Sequence, residues 1–204
     1  RHTRYISVTG VQTCALPIFS MADKIITPEF RAAFVGIFRA TAPRENPNGA
    51  KKFSMRAVFM PDTDISALKK EAQAVAVEKW GANVPKTMRS PFRLNEELDN
   101  PIPGVPDDAV VMTFSANEDR RPGIVDANLN DIIDDAECYS GAWFRAQVRA
   151  YAYDQAGNKG VSFGLENVQK TRDDDPLGKG KIPAAKAFSA FGSSTSKSAG
   201  DLFA

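Results

Sequence analysis

Over residues 30–40 the chain reads FRAAFVGIFRA, apolar at both odd and even positions, with Arg31 and Arg39 near its ends. Successive side chains of a strand point to opposite faces, so this pattern predicts a strand buried on both sides, or nearly so. Residues 41–52 hold Pro43, Asn46, Pro47, Asn48 and Gly49, which is loop chemistry. FSMRAVFM at 53–60 predicts a second strand with Phe53, Met55, Ala57 and Phe59 on one face. The period then changes. Ile65, Leu68, Ala72, Val75, Ala76 and Trp80 form a helical stripe, with Asp62 or Asp64 placed to cap its start and Gly81 to end it.

Residues 83–106 carry five prolines and mixed charges and predict a long, irregular connection. A short strand is predicted over 109–114, followed by a polar, acidic stretch over 117–135 with Arg120 and Arg121 beside Pro122 and Gly123. The longest strand signal runs from 139 to 153. The polar turn DQAGNKG (154–160) joins it to a further strand over 161–170, which predicts a hairpin. Beyond Thr171 apolar periodicity is lost. Residues 184–191 suggest a short helix, and the Ser/Gly-rich end of the chain has the composition of a disordered tail. The chain order is strand, strand, helix, strand, hairpin. That suits a mainly β, OB-type barrel of about five strands with one inserted α-helix, although the pattern alone leaves other α+β folds open.

The 139–153 strand carries the most chemistry. Its even positions, Phe144, Ala146, Val148, Ala150 and Ala152, make a compact apolar face. Its odd positions, Trp143, Arg145, Gln147, Arg149, Tyr151 and Tyr153, combine aromatic and basic groups without an acid. Single-stranded nucleic acid calls for that mixture: phosphates pair with Arg and Lys, and unpaired bases stack on aromatic rings. The competing reading places these aromatics under a loop or at a contact between subunits. Lys51, Lys52, Arg56, Arg120, Arg121 and Lys159, together with Arg31 and Arg39, could extend a basic path.

Composition narrows the choice. The chain has 204 residues, 43% hydrophobic and 25% charged, which fits one globular domain with a tail. No run approaches the roughly 18 apolar residues of a membrane helix. With a formal charge of +1, any nucleic-acid site must gather its cations on one face. Residues 1–20 need separate treatment. SVTGVQTCALPIF resembles translated sequencing-adapter sequence; as a signal peptide it is poor, because Gly10, Gln12, Thr13 and Pro17 break its apolar run. The segment is therefore excluded from the fold, Met21 reads as a start, and the domain is expected over 21–178 with a flexible tail over 179–204. Removing Arg1 and Arg4 turns the charge from +1 to −1 and leaves Cys138 as the sole cysteine.

Enzyme readings find little support. Asp126, Asp131, Asp134, Asp135 and Glu137 could hold Mg²⁺ for a nuclease, but such residues far more often cap helices or solvate loops. The single histidine is His2, and no GxxxxGK[ST] loop is present. These features favour a binding protein without a cofactor. A virion or interaction protein that uses the aromatic face between copies is the alternative, with the metal nuclease behind it.

The sequence also resembles a family of phage single-stranded-DNA-binding proteins, similar in fold to those of T-odd phages. RRPGIVDANLNDI (120–132), YSGAWFRAQVRAYAYD (139–154) and GNKGVSFGLENVQKTRD (157–173) carry the resemblance, with DTDISALKKEA (62–72) and PFR (91–93). It implies an OB fold with an inserted helix, no catalytic site, and sequence-independent binding of single-stranded DNA in replication or recombination. It further implies a cytoplasmic location in an infected bacterial host, no membrane, and replication or recombination proteins as tail partners; a homodimer is left open. Family tails of this kind are strongly acidic and end near a phenylalanine. Here Asp201-Leu202-Phe203 is present, yet Asp201 is the only acid after Gly192.

Overall fold

The computed structural model describes residues 24–43, 46–85, 87–155 and 157–178. The leader at 1–20, the suggested helix at 184–191 and the tail at 179–204 lie outside the described residues. The elements are β1 (Ile25–Ile26), β2 (Phe30–Thr41), β3 (Lys52–Phe59), α1 (Ser66–Trp80), β4 (Arg93–Leu94), β5 (Val110–Asn117), β6 (Gly123–Val125), β7 (Trp143–Gln155) and β8 (Asn158–Arg172).

Five of these strands close on themselves in the order β7-β2-β3-β5-β8, with β8 pairing back to β7. β5 and β8 run parallel; the other four pairings of the ring are antiparallel. This is a closed five-stranded OB-type barrel. The short strands extend it: β1 on β7, β4 on β5 and β6 on β8. Closure leaves the inner face nowhere to go but the core. Phe30, Phe59, Phe114, Phe144 and Phe163 are all buried there. Phe30 touches three of the others edge-on or stacked, with ring centroids 5.6, 5.8 and 6.5 Å away. Each such side chain contributes roughly 1.5–3 kcal/mol by leaving water.

The helix forms where its period predicts. Asp64 Oδ1 accepts the Ser66 amide at 2.9 Å, which satisfies one free donor of the first turn. Leu68, Ala72, Val75 and Ala76 are its buried face, and α1 packs on β7 and β8. Gly81, at φ 60, ends it by donating to Val77 O at 2.7 Å.

Several boundaries differ from the sequence expectation. β5 runs on to Asn117, and β7 begins at Trp143 rather than 139. The hairpin strands reach Gln155 and Asn158, so the predicted 154–160 turn is mostly strand. The 83–106 connection is more ordered than its prolines suggest. Buried Asn95 donates to Ile102 O and Val105 O and accepts the Ile102 amide at 2.8 Å, folding the loop around one side chain. Ile102 and Val105 then pack on Ala33, Val58 and Val111, a second small core outside the barrel wall.

Candidate nucleic-acid interface

The odd face of β7 points outward and the even face is core: Phe144, Ala146, Val148 and Ala150 are buried. Following the outer face around the barrel, strand pairing aligns Arg149 with Gly164, Gly164 with Ser115, Ser115 with Ser54 and Ser54 with Gly36. One step along the strands, Tyr151 pairs with Ser162, while Thr113 pairs with Arg56 and Arg56 with Ala33. Tyr153 pairs with Gly160 in the next row. Between Arg149 and Tyr151 on β7 and Arg56 on β3, the rows thus present glycine, serine and threonine. A trough with a low floor results.

Gly160 shows why the floor must stay low. A Cβ built there would lie 2.5 Å from the Tyr153 hydroxyl oxygen and 2.9 Å from Arg89 O. Only glycine lets the tyrosine lie across β8. At this end a cavity of about 230 Å³ is lined by Tyr153, Arg56, Arg89, Arg93, Ser162 and Thr113 among others, with no carboxylate in its wall. Lys52, Ser54 and Arg56 alternate outward along β3. Among the described residues, Lys52, Arg56, Arg89, Arg93 and Arg149 have no carboxylate within 4.0 Å, whereas the six ion pairs present use other cations. Arg56, Arg89 and Arg93 thus gather positive charge without a carboxylate partner around one cavity of a chain whose net charge is near zero, and Arg149 and Lys52 face outward on the neighbouring rows.

Of the residues singled out in the sequence, the structure brings Arg149, Tyr151, Tyr153, Arg56 and Lys52 to this trough. The others make different contacts. Arg145 lies before an irregularity in the β7–β8 register and lines a separate cavity of about 110 Å³ with Ile26, Leu129 and Gln147. Lys159 is paired with Asp154 at 3.2 Å across the hairpin end, and Lys51 stands 4.0 Å from Glu118. Arg120 is exposed in the loop after β5, and Arg121 lies over the Phe38 ring at 5.9 Å.

Trp143 is outward but engaged. Residues 173–177 form a strap across the start of β7. The indole nitrogen donates to Asp174 Oδ2 at 2.7 Å, and the Arg172 guanidinium sits 4.0 Å from the ring centroid. Arg31 donates to Gly141 O at 3.0 Å and Asp175 O at 2.6 Å, so it too is structural. Tyr139 donates to Asp173 Oδ1, and Lys170 pairs with the same carboxylate at 2.7 Å. The Lys170 and Tyr139 hydrogen bonds hold the Asp173 carboxyl below its usual range, and the Trp143 indole does the same for Asp174. A Cβ on Gly141 would collide with the backbone of Asp175, Pro176 and Leu177, so this glycine admits the strap.

Three groups in the trough were not legible beforehand. Arg89 and Arg93 belong to the connection read as irregular, and PFR offers only a local hint of Arg93. Phe34 was expected in the core of β2 but is 60% exposed, its ring 4.8 Å from the Arg56 guanidinium carbon. The cause is a bulge: between the pairs Ala33–Arg56 and Gly36–Ser54, β2 holds one more residue than β3.

The acidic cluster is used for loop structure. Asp126 Oδ1 accepts the amides of Asn128 and Asn130, both at 2.8 Å, and Asp134 caps a short 3₁₀ turn through the Ala136 amide. Among the described residues, no group of three or more His, Cys, Asp or Glu is placed to hold a metal ion. Burial pushes the Cys138 thiol up to about 11, away from nucleophilic chemistry.

A closed five-stranded barrel with one helix packed on it defines an OB-fold protein, and its outer wall carries arginines and tyrosines over small side chains. The chain belongs to the family of the Enterobacter phage Enc34 single-stranded-DNA-binding protein, whose family model matches residues 23–202. It is 30% identical over 177 residues to putative protein p50 of Acyrthosiphon pisum secondary endosymbiont phage 1, covering 81% of this chain and 92% of that one. Its fold is similar to the Enc34 protein solved in complex with single-stranded DNA, with TM-score 0.62 at 19% identity over 76% of this chain and 89% of the other. It is also similar to gp2.5, a single-stranded-DNA-binding protein encoded by bacteriophage T7, with TM-score 0.58 at 15% identity over 85% and 99% of the two chains. The family and the OB-type barrel expected from the sequence are both borne out.

Proposed function

We propose that this protein binds single-stranded DNA without catalysis and without sequence preference, in the replication or recombination of a phage inside its bacterial host. The observation that carries this reading is the trough itself: five cations without a carboxylate partner, two tyrosines at its side and a floor of glycine, serine and threonine. A DNA backbone follows the cations, and its unpaired bases lie against the rings. A duplex offers its phosphates but hides its base faces, so the rings add nothing to duplex binding.

Titration of a labelled oligothymidine against protein at several salt concentrations tests the proposal. If the five cations each neutralise one phosphate, log affinity should fall against log salt with a slope of roughly −3.5 for a single strand. Affinity that stays constant from low to moderate salt, or equal binding of single strand and duplex, contradicts it. Cleavage of the oligonucleotide in Mg²⁺ would instead favour a nuclease.

A further inference from the structure

We infer that Phe34 is a pre-set stacking platform for one unpaired base and that Ser140 is the residue that positions it. The inference rests on the functional proposal above and deepens it by assigning a base-binding position and the device that holds it open.

Phe34 combines three features that local folding does not favour. It is an aromatic side chain standing 60% exposed between buried Ala33 and half-buried Val35. Its backbone is left-handed at φ 51, where a side chain with a Cβ is strained and a bulky ring especially so. It lies in a bulge, which re-aims a side chain out of the barrel. Strain of this kind persists only where the surroundings hold it in place.

The surroundings that hold Phe34 can be traced. Its amide donates to Ser140 Oγ at 3.0 Å, across 106 residues of chain. The turn that carries Ser140 is itself fixed to β2 on one side, through Gly141 N to Ala32 O at 2.8 Å and Ala32 N to Ala142 O at 2.9 Å. On the other side the strap fixes it, through Leu177 N to Ser140 O at 2.9 Å. The serine hydroxyl is thus presented from a rigid turn to the one backbone donor that a left-handed Phe34 turns toward it. The Arg56 guanidinium then backs the ring. A base stacked on the ring beside Arg56 would gain both aromatic contact and a nearby cation for its phosphate.

The experiment uses the full chain and oligothymidine, with a thermal melt beside each titration. Phe34→Gly removes the ring and suits the left-handed backbone. It should lower affinity about 5- to 150-fold, the range of one lost base stack, while melting no lower than wild type. Phe34→Leu keeps the bulk and the strain but not the ring; it should lose affinity similarly, and it answers the question if the glycine variant fails to fold. Ser140→Ala should weaken binding with a melting temperature close to wild type, because the lost hydrogen bond is offset as the Phe34 backbone relaxes from its left-handed conformation and the ring leaves its place, and Ser140→Thr should restore binding. The decisive arm is the double variant. In the Phe34→Gly background, Ser140→Ala should change affinity no further, since the platform it positions is gone. Wild-type affinity in Phe34→Gly or Phe34→Leu overturns the platform. Wild-type affinity in Ser140→Ala, or a loss that adds fully to that of Phe34→Gly, overturns the positioning role. Failure of the wild type itself to bind oligothymidine overturns the functional proposal, a separately visible result.

Discussion

Tyr151 gives the cleanest separation of binding from packing. The residue is 40% exposed, and its Cε1 lies 4.0 Å from where a Cβ on Gly164 would stand, so it covers part of the trough floor without entering the core. Tyr151→Ala removes a ring that the account assigns to base contact. One lost stack costs roughly 1–3 kcal/mol of binding, or about 5- to 150-fold in affinity. The stability cost should be far smaller, on the order of 0.5–1 kcal/mol, because the side chain keeps much of its surface in water. In a domain of this size that is a shift of about 1–4 °C in melting temperature. The salt slope should not change, since tyrosine releases no counterion. Fluorescence anisotropy at two or three salt concentrations, beside a melt, measures all three quantities. Wild-type affinity together with a melting temperature lowered by 5 °C or more would show that Tyr151 is packing, and the trough would lose its aromatic side.

Arg149→Ala and Arg56→Ala should each weaken binding and flatten the salt slope by roughly 0.7 or less, which the same titrations read directly. Val148→Asp should unfold or aggregate the protein, as a 0% exposed position on the inner face would receive an unpaired charge; a cooperative wild-type-like melt would contradict the register. The strap should be acid-sensitive. Asp173 and Asp174 have depressed carboxyl pKa values, so their stabilisation is fully present above the ordinary value of 3.8 and is lost as pH falls through the folded values beneath it. In a Trp80→Phe background, Trp143 fluorescence should stay constant above about pH 5 and change below about pH 4 as its Asp174 partner protonates; a change centred near neutrality would contradict this.

How far the sequence alone carries depends on the range of the interaction. The alternation of β7 is local, and it placed both faces correctly because a period of two leaves no intermediate register. The helix was legible for the same reason. The fate of each outward residue was not. Trp143 and Arg31 have the side-chain chemistry of DNA contacts, yet a strap more than thirty residues downstream of Trp143 occupies both. Arg145 shares the outward parity of Arg149 but stands four residues nearer the start of β7, beside the cavity it lines with Ile26 and Leu129. Phe34 escaped notice because nothing in FRAAFVGIFRA marks a phenylalanine for a left-handed bulge; glycine is the usual sign of one, and Gly36 stands two residues on. Arg89 and Arg93 lie in a connection ordered by long-range pairing, Arg89 with Gly160 and Arg93 with Val111, and by buried Asn95, none of which leaves a periodic signal.

The central claim is that one strand of DNA lies in the trough bounded by Arg149, Tyr151, Tyr153 and Arg56. Photocrosslinking of a bromodeoxyuridine oligonucleotide to the full chain, followed by mass spectrometry of the linked peptides, tests it most directly. The account predicts crosslinks at Tyr151 or Tyr153 on the hairpin and at Phe34 on β2, with Trp143 and Tyr139 unlabelled beneath the strap. Crosslinks concentrated at Trp143, or around Ile26 and Leu129 beside Arg145 toward the start of β7, would contradict it.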